Sequence, residues 1–225
     1  MLSASLRAAL AASVLALPGA VAHAAAPPAA PAASAPAASA AGASQLAPVR
    51  ERLQLDPLLR GEFEQRKTLA GFHNPIVTRG DFVVARGQGV QWHTAQPFDG
   101  TLVVTRTRLV TLGADGTPGD ALDAQAEPAL RQVSEFVFAL LGADLDALAA
   151  RFTLQGEAVG AHGWRLVLTP RDPRLAAFLA RATLEGDRWV ESVRLEEARG
   201  DVTQIRFSHQ ATLGALTPEQ AARFR

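Results

Sequence analysis

Hydrophobic and polar residues alternate with a period of two along much of the chain after residue 60. The alternation runs through "RGEFEQRKTLAGF", "GDFVVAR", "GVQWHT", "TLVVTRT" and "RLVTLG", and clusters of Gly, Pro and Asp separate these segments. A second series follows residue 151, in "FTLQGEAV", "GWRLVLTP", "AFLARATL", "RWVESVRLEE" and "DVTQIRFSH". This period predicts half-buried strands, and short strands joined by tight turns indicate an antiparallel sheet.

The segment between the two series has a helical period instead. Apolar residues recur there at spacings of three and four, at Val133, Phe136, Val137, Leu140 and Leu141. Pro128 suits the first turn of this helix and Gly142 suits its end. Asp144 is placed to cap a second short helix through Leu148, and another short helix is predicted over residues 45–53.

These elements predict a mainly β fold with a helical lid (α+β). About ten strands would form a curved, unclosed antiparallel half-barrel covered by short helices, because a strongly twisted sheet of that size curls. The apolar parity of the strands then lines the inside of the curve, at Phe63, Phe82, Val84, Trp92, Leu102, Val104, Trp164, Leu166, Trp189 and Phe207. The apolar stripe of the lid helix adds Phe136 and Leu140. One lid fills this much apolar lining poorly, so we expect a cavity for an apolar guest.

Composition narrows the possible partners. The 225 residues include 22 basic and 22 acidic side chains, which gives a net charge of zero, and no block of like charges occurs. The sequence therefore has no overall electrostatic signature for binding nucleic acid or an anionic membrane.

The first 43 residues have the composition of an exported protein's leader and spacer. Arg7, a short Ala, Leu and Val run, and "AHA" ending at Ala24 predict a cleaved signal peptide over residues 1–24. Residues 25–43 contain only Ala, Pro, Ser and Gly, which predicts a flexible linker, and a single domain is expected over 44–225. The chain has no cysteine, so neither disulfides nor a lipid-modified N-terminal cysteine is expected.

The sequence contains no motif that indicates a catalytic site or a metal site. His73, His93, His162 and His209 have no metal-site spacing, and no HExxH or GxSxG pattern occurs. We therefore expect no enzyme activity, no cofactor and no metal.

The strand sequences resemble a known family. "FEQRKTLAGF", "RGDFVVARGQGVQWHTAQP" and "LVVT", with "WRLVLTP", "TLEGDRWVESVRLEE" and "DVTQIRF" downstream, are similar to the periplasmic lipoprotein carrier (LolA-like) family over about residues 45–210. The resemblance implies an unclosed β-barrel with a helical lid that shields acyl chains. It also implies that Arg86 gates the lid by pointing into the cavity, in step with Phe82 and Val84, and bonding lid carbonyl groups.

The resemblance further implies partners and a location. The cargo would be an acylated lipoprotein or lipid, received from an inner-membrane exporter complex and passed to an outer-membrane acceptor by a monomer in the periplasm. Residues 112–128 depart from the family pattern. Two alternatives therefore stay open: a paralogue that carries a non-lipoprotein lipid for a dedicated exporter, and a lipid-sensing regulatory domain of the same fold.

Overall fold

The computed structural model describes residues 46–123 and 144–224, and its strands form one antiparallel sheet. The strands are β1 (Leu58–Thr68), β2 (Ile76–Ala85), β3 (Gly89–Gln96), β4 (Gly100–Thr105), β5 (Arg108–Leu112), β6 (Pro118–Asp123), β7 (Phe152–Val159), β8 (Gly163–Pro170), β9 (Leu179–Gly186), β10 (Val190–Glu197) and β11 (Val202–Thr212). The helices within these residues are α1 (46–52), α2 (Leu145–Arg151), α3 (Pro173–Ala176) and α4 (Pro218–Arg223).

The sheet is not closed into a barrel. Its strand order is β6-β5-β4-β3-β2-β1-β11-β10-β9-β8-β7, so β6 and β7 form its two edges. The last strand, β11, pairs with the first strand, β1. This pairing joins the two predicted series of strands into one sheet. The predicted fold class, an unclosed antiparallel sheet covered by short helices, is confirmed.

Two short helices that the sequence predicted, α1 near residues 45–53 and α2 after Asp144, cover the inner face of β7 to β10. Asp144 caps α2, its side chain accepting a hydrogen bond from the amide of Ala147 at 3.1 Å. Arg50 on α1 and Asp146 on α2 form an ion pair at 2.5 Å. Buried apolar residues of the two helices, with Leu53 directly after α1, join one core with the strands: Leu46, Val49, Leu53, Leu145 and Leu148. The longer predicted lid helix, near residues 128–142, lies outside the described residues, as do the predicted signal peptide and linker.

The hairpin connections gather at two ends of the sheet. The Phe72 end consists of the connections at residues 69–75, 97–99, 113–117, 171–178 and 198–201. The Trp189 end consists of the connections at residues 86–88, 106–107, 160–162 and 187–189, with the segment that enters β1.

The alternation predicts a polar outer face for the sheet, but part of this face is apolar and buried. Val83, Ala85 and Val103 point away from the main core, yet they are buried. The ring of Phe224, at the end of α4, occupies the space where a side chain on Gly89 would lie. The C-terminal segment therefore packs on the outside of the sheet at β3.

Candidate functional site

Four aromatic side chains from four strands meet on the inner face of the sheet. Phe63 on β1 stacks on Trp92 of β3 with ring centroids 3.8 Å apart. Phe207 on β11 meets Phe82 of β2 edge to face at 5.2 Å, and meets Trp92 at 6.1 Å. Because β11 and β3 are three strand spacings apart, about 14 Å in a flat sheet, this contact requires the sheet to curve around these rings. We call Phe63, Phe82, Trp92 and Phe207 the aromatic cluster.

Gly61 makes the close packing of this cluster possible. It lies opposite Phe82 on β1, next to an irregularity in the pairing of β1 with β11. A Cβ atom at Gly61 would lie 2.7 Å from the Phe82 ring, closer than any ordinary contact. The ring therefore occupies space that only a glycine leaves free.

A depression opens beside the aromatic cluster at the Trp189 end. It is lined by Leu53, Gln54, Leu55, Asp56, Leu59, Phe82, Val84, Arg86, Trp189, Val190, Phe207 and Gln210. Its volume is about 30 Å³, room for about one or two water molecules and far below the roughly 300–1,000 Å³ of a ligand pocket. A long guest can enter at this depression only if the groups around it move apart.

Arg86 does not lie on the strand, where the sequence analysis placed it. β2 ends at Ala85, and Arg86 begins the turn to β3, where its backbone amide donates to the carbonyl of Pro57 at 2.9 Å. Its side chain is exposed at the rim of the depression rather than pointing into a cavity. The lid carbonyls proposed as its partners lie outside the described residues, so its gating role stays a prediction.

Trp189 was also expected on a strand and lies instead in the turn before β10. Its indole nitrogen donates to Asp56 at 2.8 Å, and the Arg188 guanidinium lies over its ring at 4.5 Å. The amide of Gln54 also donates to the carbonyl of Arg188 at 2.7 Å. These contacts hold the segment entering β1 against the β9–β10 turn, so the depression is closed at this side.

The other predicted lining residues differ in how deeply they are buried. Trp164 and Leu166 are fully buried in the core under α1 and α2, and the Trp164 indole donates to the carbonyl of Asp187 at 2.6 Å. Val84 and Val104 are buried as well, whereas Leu102 is only partly buried. Phe136 and Leu140 lie outside the described residues.

Sequence reasoning missed part of the depression's wall. Leu59 and Val190 stand at strand ends and Gln210 lies beyond an irregular pairing, where alternation is a poor guide. Leu53, Gln54, Leu55 and Asp56 precede the first strand, and no periodicity indicates where that segment packs. The Asp-Pro pair at Asp56 was the available signal, since it marks the turn into β1.

Of the four histidines considered as metal or catalytic candidates, His93 contacts two carboxylates. It lies on the outer face between Asp81 at 2.7 Å and Asp99 at 3.3 Å. Partial burial by itself lowers the pKa of His93, but hydrogen bonds and charge attraction from Asp81 and then Asp99 outweigh it and raise the pKa above its ordinary value. The described residues contain no group of His, Asp and Glu side chains able to hold a metal ion.

A family model for the outer membrane lipoprotein carrier protein LolA matches residues 58–221, well over half of the chain. The chain belongs to the LolA family. Family membership indicates a lipid- or lipoprotein-binding protein of the periplasm with a carrier-like function. No described helix is both long and apolar enough to span a bilayer.

The solved structures that are similar to this chain are distant from it in sequence. A LolA superfamily protein from Nitrosomonas europaea is 11% identical, with a TM-score of 0.44, over 79% of this chain and 96% of its own. A putative outer membrane lipoprotein-sorting domain from Vibrio parahaemolyticus is 10% identical, with a TM-score of 0.41, over 82% and 100%. A chain of the Pseudomonas aeruginosa MucA/MucB complex is 18% identical, with a TM-score of 0.44, and the match covers 82% of this chain and 62% of that one. A search of curated sequences found no match.

Proposed function

We propose that this LolA family member carries the acyl chains of a lipoprotein, or of a related lipid, from the inner to the outer membrane. The aromatic cluster supports this proposal most directly, because it places four large apolar rings on the concave face beside an opening. An inner-membrane exporter and an outer-membrane acceptor would be its partners, and the protein would act in the periplasm after cleavage of residues 1–24.

The energetic gain from such a guest is large. Each methylene removed from water contributes about 0.8 kcal/mol, so one long acyl chain contributes on the order of 10 kcal/mol before ordering costs. The small depression means that part of this gain is used to separate groups that now touch, which weakens binding. A carrier benefits from this balance because it must also release its cargo.

Adjacent residues of β11 provide a matched test. Phe207 points into the aromatic cluster, and Arg206 points outward to solvent on the same strand. We expect Phe207→Ser to weaken binding of a fluorescent acyl-chain probe about tenfold or more, and Arg206→Ser to leave it unchanged. Equal effects of the two substitutions would contradict binding on the inner face.

Transfer separates the carrier from the open alternative of a lipid-sensing domain. Both bind the probe, but only a carrier passes it on. We expect loaded protein to deliver an acylated peptide to acceptor vesicles faster than the peptide leaves donor vesicles unaided. Binding without faster delivery would favour the sensing domain.

A further inference from the structure

The two edges of the sheet differ in how they are protected. A strand at an edge has a row of backbone N–H and C=O groups without partners, and proteins commonly block such rows with proline, irregular pairing or charged residues. β6 has all three, because it contains Pro118, Asp120 and Asp123, and its pairing with β5 shifts between Val110 and Leu112. β6 is therefore a poor template for a further strand.

β7, at the other edge, contains no proline and a single charged residue. Its eight residues, FTLQGEAV, pair with β8 without a shift from Phe152 to Val159. No strand in residues 46–123 or 144–224 pairs with β7 on the side away from β8. Thr153, Gln155 and Val159 are exposed along it. β7 is therefore a regular and accessible edge that can pair with another extended strand.

The side chains of β7 favour a second copy of this chain as that strand. Thr153, Gln155 and Glu157 share the outer face, because they alternate with the core residues Phe152 and Leu154. When two β7 strands pair antiparallel about a twofold axis at Gln155, the two Gln155 amides face each other and each Glu157 faces Thr153 of the other copy. Both pairs can form hydrogen bonds. A register centred on Glu157 would instead place two carboxylates opposite each other.

The charge of Glu157 does not oppose pairing in the register centred on Gln155. Its carboxylate forms an ion pair with Arg165 of β8 at 2.8 Å. The two Glu157 residues are also separated by four positions, about 13 Å along the strand direction. Pairing between identical edges forms a closed dimer, whereas pairing of β7 with β6 would continue into a filament. The proline and aspartates of β6 disfavour that alternative.

We propose that two copies of this chain associate by antiparallel pairing of their β7 strands, which joins their two sheets into one. The family resemblance implies a monomer, and this proposal departs from it. The inference does not depend on the proposed carrier function, because the aromatic cluster lies on other strands, β1, β2, β3 and β11.

Opposite charges at Gln155 test both the pairing and its register. Sedimentation equilibrium of the full chain should show the mass rising from one chain towards two as the concentration increases. Gln155→Lys and Gln155→Glu each place like charges opposite each other, so each variant alone should dimerise about fivefold more weakly or worse. An equimolar mixture of the two variants places opposite charges together and should regain dimerisation at the wild-type level or above.

Thr169→Lys is the matched control. Thr169 lies opposite Thr153 on β8 and is also exposed, but it stands one strand in from the edge, so this variant should dimerise as the wild type does. All the proteins keep the same N-terminal residues, so association through that segment cancels in the comparison. The proposal is overturned if the wild type stays a single chain at every concentration, as expected of an edge that pairs with a different protein. It is equally overturned if the mixture associates no better than either Gln155 variant alone, or if Thr169→Lys weakens dimerisation as much.

Discussion

The two halves of the inner face are packed in different ways. Under α1 and α2, the strands β7 to β10 contribute a nearly water-free core, in which Leu168 and Val193 are 0% exposed and Trp164 is 1% exposed. On β1 to β4 and β11, Trp92 and Leu102 are partly exposed, and the packing consists of aromatic rings over a glycine. The first half has the features of a structural core, and the second has the features of a surface that can open.

The largest expected difference between the halves concerns stability. Leu168→Ala removes a fully buried side chain and should lower the free energy of unfolding by about 2–5 kcal/mol, because the packed surroundings cannot collapse into the cavity. Leu102→Ala removes the same atoms from a partly exposed site and should cost about half as much or less. Urea unfolding measures both, and equal losses would show that the halves are equally packed.

Gly61 offers a sharper test of the aromatic cluster. Gly61→Ala places a methyl group 2.7 Å from the Phe82 ring and should destabilise the protein by about 1–3 kcal/mol as the ring shifts. Gly100→Ala is the matched control, because its Cβ meets only the Leu112 carbonyl oxygen at an ordinary 3.7 Å. Thermal unfolding compares the two variants. If the substitution at Gly61 is tolerated as easily as the one at Gly100, the aromatic cluster is not tightly packed.

Arg86 tests the gate at the rim of the opening. If its guanidinium bonds the lid when the cavity is empty, Arg86→Leu should keep the fold and slow release of an acylated probe about tenfold, since each such bond contributes about 1.5–3 kcal/mol. Release to acceptor vesicles, followed by stopped-flow fluorescence, gives the rate. Arg106→Leu, in the neighbouring turn of the same end, serves as the control. Release at the wild-type rate from both variants would leave Arg86 without a gating role.

The smallest effect concerns the outer face at His93. Because the pKa of His93 is raised in the folded state, its contribution to stability is complete below the unfolded pKa of about 6.5 and disappears as the pH rises through the folded pKa. His93→Gln should therefore lower the free energy of unfolding more at about pH 5.5 than at about pH 8.5. A difference that grows with pH would contradict the interaction with Asp81 and Asp99.

The sequence predicted the sheet well because most of its strands alternate with a period of two. It missed β6, where Pro118, Gly119 and Asp120 hide the alternation. The continuous apolar run "FVVA" at residues 82–85 was a signal that both faces of β2 are buried. No local pattern could show that the C-terminal segment, ending in Phe224, would supply the cover.

Part of the candidate site was predictable because its residues lie on regularly alternating strands. Phe63, Phe82, Trp92 and Phe207 share the inward parity on long strands, and the structure brings them together. Arg86 and Trp189 were misplaced because both stand one residue beyond a strand, where parity no longer fixes the direction of a side chain. Strand ends depend on turn geometry and on contacts distant in sequence, which alternation does not report.

If an acyl chain binds on the aromatic half and not in the packed half, the three tryptophans of the chain can report it. Trp92 lies in the aromatic cluster, Trp189 at the rim of the depression and Trp164 in the packed core. Variants that keep one tryptophan each, with the other two changed to Phe, are titrated with a bromine-labelled fatty acid, which quenches fluorescence on contact. We predict strong quenching of Trp92, weaker quenching of Trp189 and none of Trp164. Quenching of Trp164 equal to that of Trp92, or an unquenched Trp92, would contradict the account.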